Sequence, residues 1–318
     1  SVAAGVDPAK DVDNGTLYQA LTYTGNGSNS REITTKFNPD AFWFKQLTTR
    51  QWFITSKKRG IGDTTYYDWF QGTDHDGYQT GDYKGVVSTA STSMTIGAVD
   101  YVNLNNGLYV VSLFNYGGTE STNNDGNLES TIYANAGAGM SHGSYTGTGA
   151  TKTVGHGLGA VPSFIITRKT SANSNWAVYY GDNTDALLIN SGAGTTDNNF
   201  WADTTPSSSV FTVGNHADTG AAAGYIFWAF ANTEGFIKSG IYTGIANADG
   251  AFIYTGFKPA LLIIKRATGT ESWFMMDDAR DPTNVVEGVL QMNGSNGESR
   301  TDYDVCDFLS NGFKMRIN

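Results

Sequence analysis

Three short runs of sequence decide the fold: Pro39-Asp-Ala-Phe-Trp-Phe-Lys45, Pro162-Ser-Phe-Ile-Ile-Thr-Arg168 and Pro259-Ala-Leu-Leu-Ile-Ile-Lys265. Each run opens on a proline and ends six positions later at a basic residue. Between these ends, large apolar side chains occupy odd and even positions alike, which is typical of a strand buried on both faces. Proline is tolerated at the start of a strand, where no ladder hydrogen bond is required. We therefore expect three central strands, each emerging into water at its basic residue.

The same landmarks surround each run in the same order. A Tyr-Thr-Gly motif precedes the proline by 16 or 17 residues, and a tryptophan follows it by 13 or 14 residues. The motifs begin at Tyr23, Tyr145 and Tyr242, and the tryptophans are Trp52, Trp176 and Trp273. Self-similarity in a fixed order is the signature of a tandem array of one structural unit. We expect each tryptophan to begin the strand next to the central one.

Composition supports β structure throughout. The 318 residues include 39 Gly, 17 Tyr, 17 Phe and 7 Trp, and only 16% are charged. Glycine-rich turns between short aromatic or β-branched runs are typical of strands, and no segment of 12 or more residues shows a convincing helical period. The prediction is an all-β protein of tandem antiparallel β-sandwich domains, similar to jelly rolls.

The repeats also predict the domain boundaries. Residues 1–15 form an N-terminal linker, residues 16–116 the first sandwich, and residues 117–126 a polar linker or long loop. Residues 127–232 form the second sandwich and residues 233–318 the third. The third copy is the shortest, which is consistent with an atypical terminal unit.

Net charge and cysteine content exclude several classes of protein. The net charge of −10 argues against a nucleic-acid binder, which needs a basic face for phosphate. The longest apolar runs are far shorter than the ~20 residues of a membrane span, so no membrane insertion is expected. Cys306 is the single cysteine, which excludes an internal disulfide.

Several stretches resemble a known family. Gly139-Met-Ser-His-Gly-Ser-Tyr-Thr-Gly-Thr-Gly149 and Val154-Gly-His-Gly-Leu-Gly-Ala-Val-Pro162 are similar to repeats in structural proteins of tailed bacteriophages, especially marine ones. The likeness is close over residues 127–318 and looser over residues 16–116. Such proteins are usually tail fibre or virion structural proteins, and the repeat region has no known activity. The resemblance implies a fold and a location on the virion surface, and it transfers no catalytic residues.

The function expected from the resemblance is structural and adhesive. The chain would hold spacing in a phage tail fibre or similar surface fibre and contact host surface glycans. Its partners would be other virion proteins, host cell-surface polysaccharide and further copies of itself in a homotrimer, because aromatic-rich short domains must hide surface. Two alternatives stay open: a capsid or neck decoration protein of the virion, and a cellular carbohydrate-binding or surface-layer protein.

Acidic clusters raise the question of polysaccharide hydrolysis, which needs two carboxylates ~5–10 Å apart in a cleft. None of the clusters recurs in the other repeats, and each lies in a loop-like segment, so we expect no enzyme and no catalytic residue. The clusters are Asp74-His-Asp76, Asp277-Asp278 with Asp281, and the group of Asp302, Asp304 and Asp307. Hard oxygen ligands on loops suit Ca²⁺, which makes Asp74 and Asp76 the candidate ligands of a structural calcium ion. No cofactor is otherwise expected, and the four histidines lack a spacing suited to zinc.

Aromatic clusters raise the question of sugar stacking. The best candidate for an exposed patch is an insertion peculiar to the first repeat, which serves either a glycan or a subunit interface. Its residues are Tyr66, Tyr67, Trp69, Phe70 and Tyr78. Tyr179-Tyr180 and Asn199-Phe-Trp201 are similar in composition, but packing is the interpretation we favour for most aromatic side chains.

Overall fold

The computed structural model of the protein describes residues 15–61, 64–65, 79–80, 85–117, 119–170, 173–247, 249–300 and 305–316. In these ranges, antiparallel strands are joined by turns, with a short α-helix (α1, Asp100–Asn103) and a 3-10 helix at Lys57–Arg59. The all-β, antiparallel, sandwich-type fold predicted from the sequence is thereby confirmed. No helix in the described ranges is long and apolar enough to cross a bilayer.

The first repeat places a four-stranded sheet, in the order β1-β9-β3-β4, against a three-stranded sheet, β2-β8-β7. A two-stranded ladder, β5-β6, is separate from both. The strands are β1 (Tyr18–Thr24), β2 (Arg31–Thr34), β3 (Ala41–Gln46), β4 (Phe53–Ser56), β5 (Thr64–Thr65), β6 (Gln79–Thr80), β7 (Val86–Ala90), β8 (Ser93–Ile96) and β9 (Leu108–Phe114).

The second repeat has an eight-stranded sheet, in the order β10-β11-β12-β19-β14-β15-β16-β17, which packs against the pair β13-β18. The strands are β10 (Ser121–Asn123), β11 (Ser130–Asn135), β12 (Met140–Thr146), β13 (Lys152–Gly155), β14 (Phe164–Lys169), β15 (Trp176–Tyr179), β16 (Asp185–Leu188), β17 (Thr196–Asp197), β18 (Val210–Val213) and β19 (Gly224–Phe230). Strand β10 lies inside residues 117–126, so part of the expected linker is an edge strand of this sheet.

The third repeat has two three-stranded sheets, β21-β22-β23 and β20-β25-β24. The strands are β20 (Phe252–Tyr254), β21 (Leu261–Ile264), β22 (Phe274–Asp277), β23 (Leu290–Gln291), β24 (Cys306–Leu309) and β25 (Gly312–Met315). The central strands β3, β14 and β21 each begin two residues after their proline, and the tryptophan lies at or one residue before the next strand.

Each large sheet has two buried faces because its central strands alternate between two cores. In β3, Phe42 and Phe44 face the small sheet of their own repeat, whereas Ala41 and Trp43 face the opposite way. Strands β14 and β15 of the second repeat and β21 and β22 of the third divide in the same way. The near-continuous apolar runs are explained by this double burial.

The outer faces of all three large sheets meet in one shared core. It contains Trp43 and Trp52 of the first repeat, Trp176 of the second, and Trp273 and Met292 of the third, all buried. Every ladder described lies within one repeat, but apolar packing joins the repeats. The three repeats therefore pack around one common apolar core.

Two of the matched tryptophans also join neighbouring repeats by hydrogen bonds. The indole Nε1 of Trp52 donates to the carbonyl of Gln291 (2.9 Å), and that of Trp273 donates to the carbonyl of Leu188 (2.8 Å). The two acceptors occupy the same place, opposite the residue that follows the tryptophan of their own repeat. The first repeat thus bonds to the third, and the third to the second, through one geometry.

The basic residues that end the three runs do not all emerge into water, which corrects the expectation from the sequence. Lys45 and Arg168 are fully buried, and Lys265 is half-buried. Lys45 Nζ donates to the carbonyl of Gln46 (2.8 Å), Arg168 donates to the carbonyl of Ser174, and Lys265 Nζ donates to the carbonyl of Gly192 (3.1 Å). Burial, reinforced by the charge of Arg280, lowers the pKa of Lys45 to about 8.

The first and second repeats insert their last strand into the large sheet in one register. Strand β9 lies between β1 and β3, and β19 lies between β12 and β14. Phe114 is opposite Ala41, and Phe230 is opposite the equivalent Phe164. In the third repeat, β21 pairs only with β22, and the described residues contain no counterpart of β9 or β19.

The indole bonds give a first prediction. We expect Trp52→Phe to lower the free energy of unfolding by about 1–3 kcal/mol beyond the loss of ring area, because the carbonyl of the half-buried Gln291 loses its donor. Trp201→Phe is the matched control, since Trp201 is buried and its Nε1 has no hydrogen-bond partner in the described part of the chain. Urea unfolding of both variants measures the difference. Equal losses would show that the indole bond contributes nothing.

Candidate functional site

The residues that the sequence singled out lie outside the described residues. These are Tyr66, Tyr67, Trp69, Phe70 and Tyr78 of the aromatic patch, and Asp74 and Asp76 of the calcium site. Both hypotheses stay predictions. In the described ranges, no group of three or more His, Cys, Asp or Glu side chains is placed to hold a metal ion.

The aromatic clusters of the second repeat serve packing. Tyr179, Phe200 and Trp201 are buried in the core between its two sheets, and the ring of Trp201 meets that of Tyr179 edge-on at 5.8 Å. Phe200 contacts the ring of His216 at 3.9 Å. Only Tyr180 of these clusters is half-buried and lines an open cleft. The interpretation of these rings as core is supported by their burial.

The acidic cluster of the third repeat is neutralised by arginines. Arg280 Nε donates to Asp277 Oδ2 (2.7 Å) and Arg280 Nη1 to Glu298 Oε1 (2.9 Å), with Arg280 and Asp277 both buried. Arg300 bonds Asp281 (2.7 Å) and Glu298 (2.7 Å). These five side chains form one network that ties the end of β22 to residues 298–300. A buried pair of this kind fixes geometry, with the Asp277 carboxylate held by the guanidinium of Arg280.

The other acidic residues singled out from the sequence are Asp278, Asp302, Asp304 and Asp307. Burial, with the nearby charge of Asp277, raises the pKa of Asp278. Asp307 accepts hydrogen bonds from Arg316, whereas Asp302 and Asp304 lie outside the described residues. The described members of these clusters are therefore mainly ion-pair partners within the third repeat.

A serine and a histidine meet at the boundary of the first two repeats. The Oγ of Ser56 lies 2.7 Å from Nε2 of His142, and Nδ1 of His142 lies 2.7 Å from the carbonyl of Phe227. Because that carbonyl can only accept, Nδ1 carries the proton, and Nε2 accepts from the Ser56 hydroxyl. The Ser56 oxygen in turn accepts the backbone N–H of Arg59 (3.2 Å).

This pair resembles a nucleophile and its base in distance, but it is sealed from solvent. Ser56 is 0% exposed and His142 is 1% exposed, and the imidazole stacks on the ring of Trp228 at 4.6 Å. Burial lowers the pKa of His142 to about 3, and the charges of Lys58 and Arg59 act in the same direction. The pair is therefore a neutral bridge between repeats, and no substrate reaches it.

The third repeat contains an apolar cleft of about 1770 Å³. One wall is β21, whose four residues are all half-buried, and the other is the irregular segment 238–245. The floor is formed by Trp43, Phe114 and Met140, which belong to the shared core. The cleft thus opens onto the centre around which the repeats pack.

Exposed apolar side chains surround this cleft. Ile241 is 76% exposed, Ile245 57%, Phe252 47% and Tyr254 61%, and all but Phe252 line the cleft itself. Single exposed apolar residues are ordinary, but a cluster beside an apolar groove marks an interaction site. Sequence reasoning missed this cluster.

The buried histidine gives a pH-dependent prediction. The pKa of His142 is about 3 in the folded state and about 6.5 in the unfolded chain, so the unfolded state binds more protons below about pH 6.5. Acidification below that pH therefore lowers the free energy of unfolding, by up to about 1.4 kcal/mol per pH unit from this group. We expect His142→Gln to be less stable at pH 7.5 but to lose stability less steeply between pH 6.5 and 4.5.

Urea unfolding at several pH values makes the comparison. Above pH 7 the difference between the two proteins should not change with pH, which serves as the internal control. Parallel curves from pH 7.5 to 4.5 would mean that His142 is not the group that takes up the proton on unfolding.

The chain was compared with known protein families, curated proteins and solved structures. No curated protein and no solved structure matches the chain significantly. The model of one family, described as "Domain of unknown function (DUF7483)", matches residues 13–318, which covers all three repeats. The chain therefore belongs to the DUF7483 family.

Proposed function

We propose that the chain is a non-enzymatic structural and adhesive component of a phage virion appendage, a tail fibre or similar surface fibre. The observation that carries this proposal is the use of the buried polar side chains to hold the three repeats together. Trp52, Trp273 and the Ser56–His142 pair all bond across repeat boundaries. A chain in which such groups lock repeats together suits a load-bearing part.

The surface charge is compatible with this role. The net charge of −10 keeps the particle surface soluble and disfavours contact with nucleic acid. The resemblance of residues 127–318 to repeats of tailed-phage structural proteins supports the same location. Contact with host glycans would fall to the aromatic residues of the unrepeated insertion, residues 66–78, and assembly would involve other virion proteins.

The reason for which the sequence suggested a homotrimer is already met within one chain. The aromatic surface that short domains must hide is buried between repeats of a single chain, in the shared core. Oligomer formation remains part of the proposal, and sedimentation of the dilute chain tests it. A stable monomer at micromolar concentration would remove the homotrimer from the proposal.

The location is tested on the virions of the source phage with gold-labelled antibodies against the chain. We expect label on fibres or tail appendages. Label on the capsid or neck would favour a decoration protein, and label confined to host cell surfaces would contradict a virion role. Virions treated with pre-immune antibodies are the control.

The non-enzymatic character is tested with purified chain and envelope polysaccharide of the host. We expect no increase in reducing ends, together with saturable binding of the same polysaccharide. A polysaccharide depolymerase of established activity serves as the positive control. Release of reducing ends above the heat-denatured chain would overturn the proposal that the chain is not an enzyme.

A further inference from the structure

We propose that the cleft of the third repeat is an acceptor groove for a β-strand. Its occupant would be an uncharged strand from outside residues 1–318, with large apolar side chains on both faces, inserted antiparallel to β21. The inference rests on the comparison of the three repeats and is independent of the virion role. Four observations carry it.

The first observation is the open edge of β21. Its counterparts β3 and β14 have neighbours on both sides, and their central residues are buried. Among the residues that the structure describes, β21 pairs only with β22, and all four of its residues are half-buried. A row of unpaired backbone donors and acceptors beside apolar side chains is a template for another strand.

The second observation is the register of the strands that fill the equivalent space. Strand β9 runs antiparallel to both β1 and β3, and β19 runs antiparallel to both β12 and β14, with the same residues opposite one another. The run Tyr109-Val-Val-Ser-Leu-Phe114 occupies the same positions as Tyr225-Ile-Phe-Trp-Ala-Phe230. Both begin with Tyr, end with Phe and carry no charge. This shared pattern defines the chemistry of the occupant.

The third observation is a tyrosine, Tyr242, that lines the cleft and has, among the residues described, no stacking partner of the kind found in the other two repeats. In the first repeat the ring of Tyr23 stacks on Tyr109 at 5.2 Å, and in the second Tyr145 stacks on Tyr225 at 5.2 Å. Their counterpart in the third Tyr-Thr-Gly motif is Tyr242, which lines the cleft and meets Phe313 edge-on. In the described ranges no tyrosine stacks on Tyr242. A strand that begins with tyrosine would complete the third pair.

The fourth observation comes from paired glycines. A Cβ on Gly143 would lie 2.8 Å from the ring of Phe227 in β19, and one on Gly147 would lie 2.3 Å from the carbonyl of Ala221, just before β19. Their counterparts Gly240 and Gly244 have nothing within 4 Å of such a Cβ. The third repeat thus carries glycines of the kind needed for close approach of an inserted strand and its preceding loop.

The apolar floor identifies the occupant of the cleft as a polypeptide strand. One face of the inserted strand would meet the shared core at Phe114 and Met140, and the other would cover Phe313 in the small sheet of the third repeat. A small apolar molecule would fill part of the volume but would leave the edge of β21 unpaired. A strand satisfies the side chains and the backbone together.

The test uses the whole chain and a synthetic peptide with the sequence of residues 224–230, flanked by lysines for solubility. We expect saturable binding by fluorescence anisotropy, a rise in Tm at saturation, and hydrogen-exchange protection at residues 261–264. Stabilisation follows because the peptide binds the folded state only. A scrambled peptide of the same composition is the control.

Two altered peptides sharpen the test. A proline in place of the phenylalanine equivalent to Phe227 should abolish binding, because it removes a ladder donor at the centre of the strand. A serine in place of the first tyrosine should weaken binding at least about tenfold, through lost stacking and buried area. Altering only the peptide leaves the fold of the chain untouched.

Three outcomes would overturn the proposal. One is binding of the native and scrambled peptides with equal affinity, or no binding of either. Another is protection that falls away from residues 261–264. The third is a dimer that the peptide converts to monomer, since the groove would then be filled by a second copy of this chain.

Discussion

A sheet with large apolar side chains on both faces has to be covered twice, and this constraint governs the rest of the structure. Each fully buried Leu, Ile, Val or Phe side chain contributes roughly 1.5–3 kcal/mol relative to exposure, so neither face can be left in water. A two-layer sandwich covers one face only. The second faces of β3, β14 and β21 are therefore covered by one another, and the shared core follows.

A core shared by three sheets buries backbone and side-chain polar groups in an apolar interior, where each of them needs a hydrogen-bond partner. The indoles of Trp52 and Trp273 donate across repeat boundaries, and His142 bonds both Ser56 and Phe227. Buried polar groups that are satisfied only in one arrangement select that arrangement against others of similar apolar burial. The same side chains that would suggest catalysis in a cleft here fix how the repeats are placed.

The positions of the central strands could be predicted from the sequence, whereas the packing of the three repeats against one another could not. Double-faced apolar runs and matched tryptophans predicted β3, β14 and β21 and their neighbours, because alternation and turn chemistry are local properties. Whether the second face meets another repeat or another molecule is a long-range property, and the composition is the same in either case. Lys45 shows the limit: a charged residue ending an apolar run predicts emergence into water, yet a nearby carbonyl holds it at 0% exposure.

The cleft could not be predicted from the sequence for a related reason: repeats reveal the strands that are present, whereas the groove is defined by a strand that the described residues of the third repeat do not contain. Strand edges left open are usually protected by charge, proline or a covering loop. Residues 261–264, Leu-Leu-Ile-Ile, have none of these features and retain the side chains of a central strand. Tyr242 and Gly244 likewise retain the residue types of their counterparts beside β9 and β19, and Gly240 retains that of Gly143 beside β19. A repeat adapted to stand open would replace such residues with polar ones, so their presence indicates a sheet adapted to one more strand.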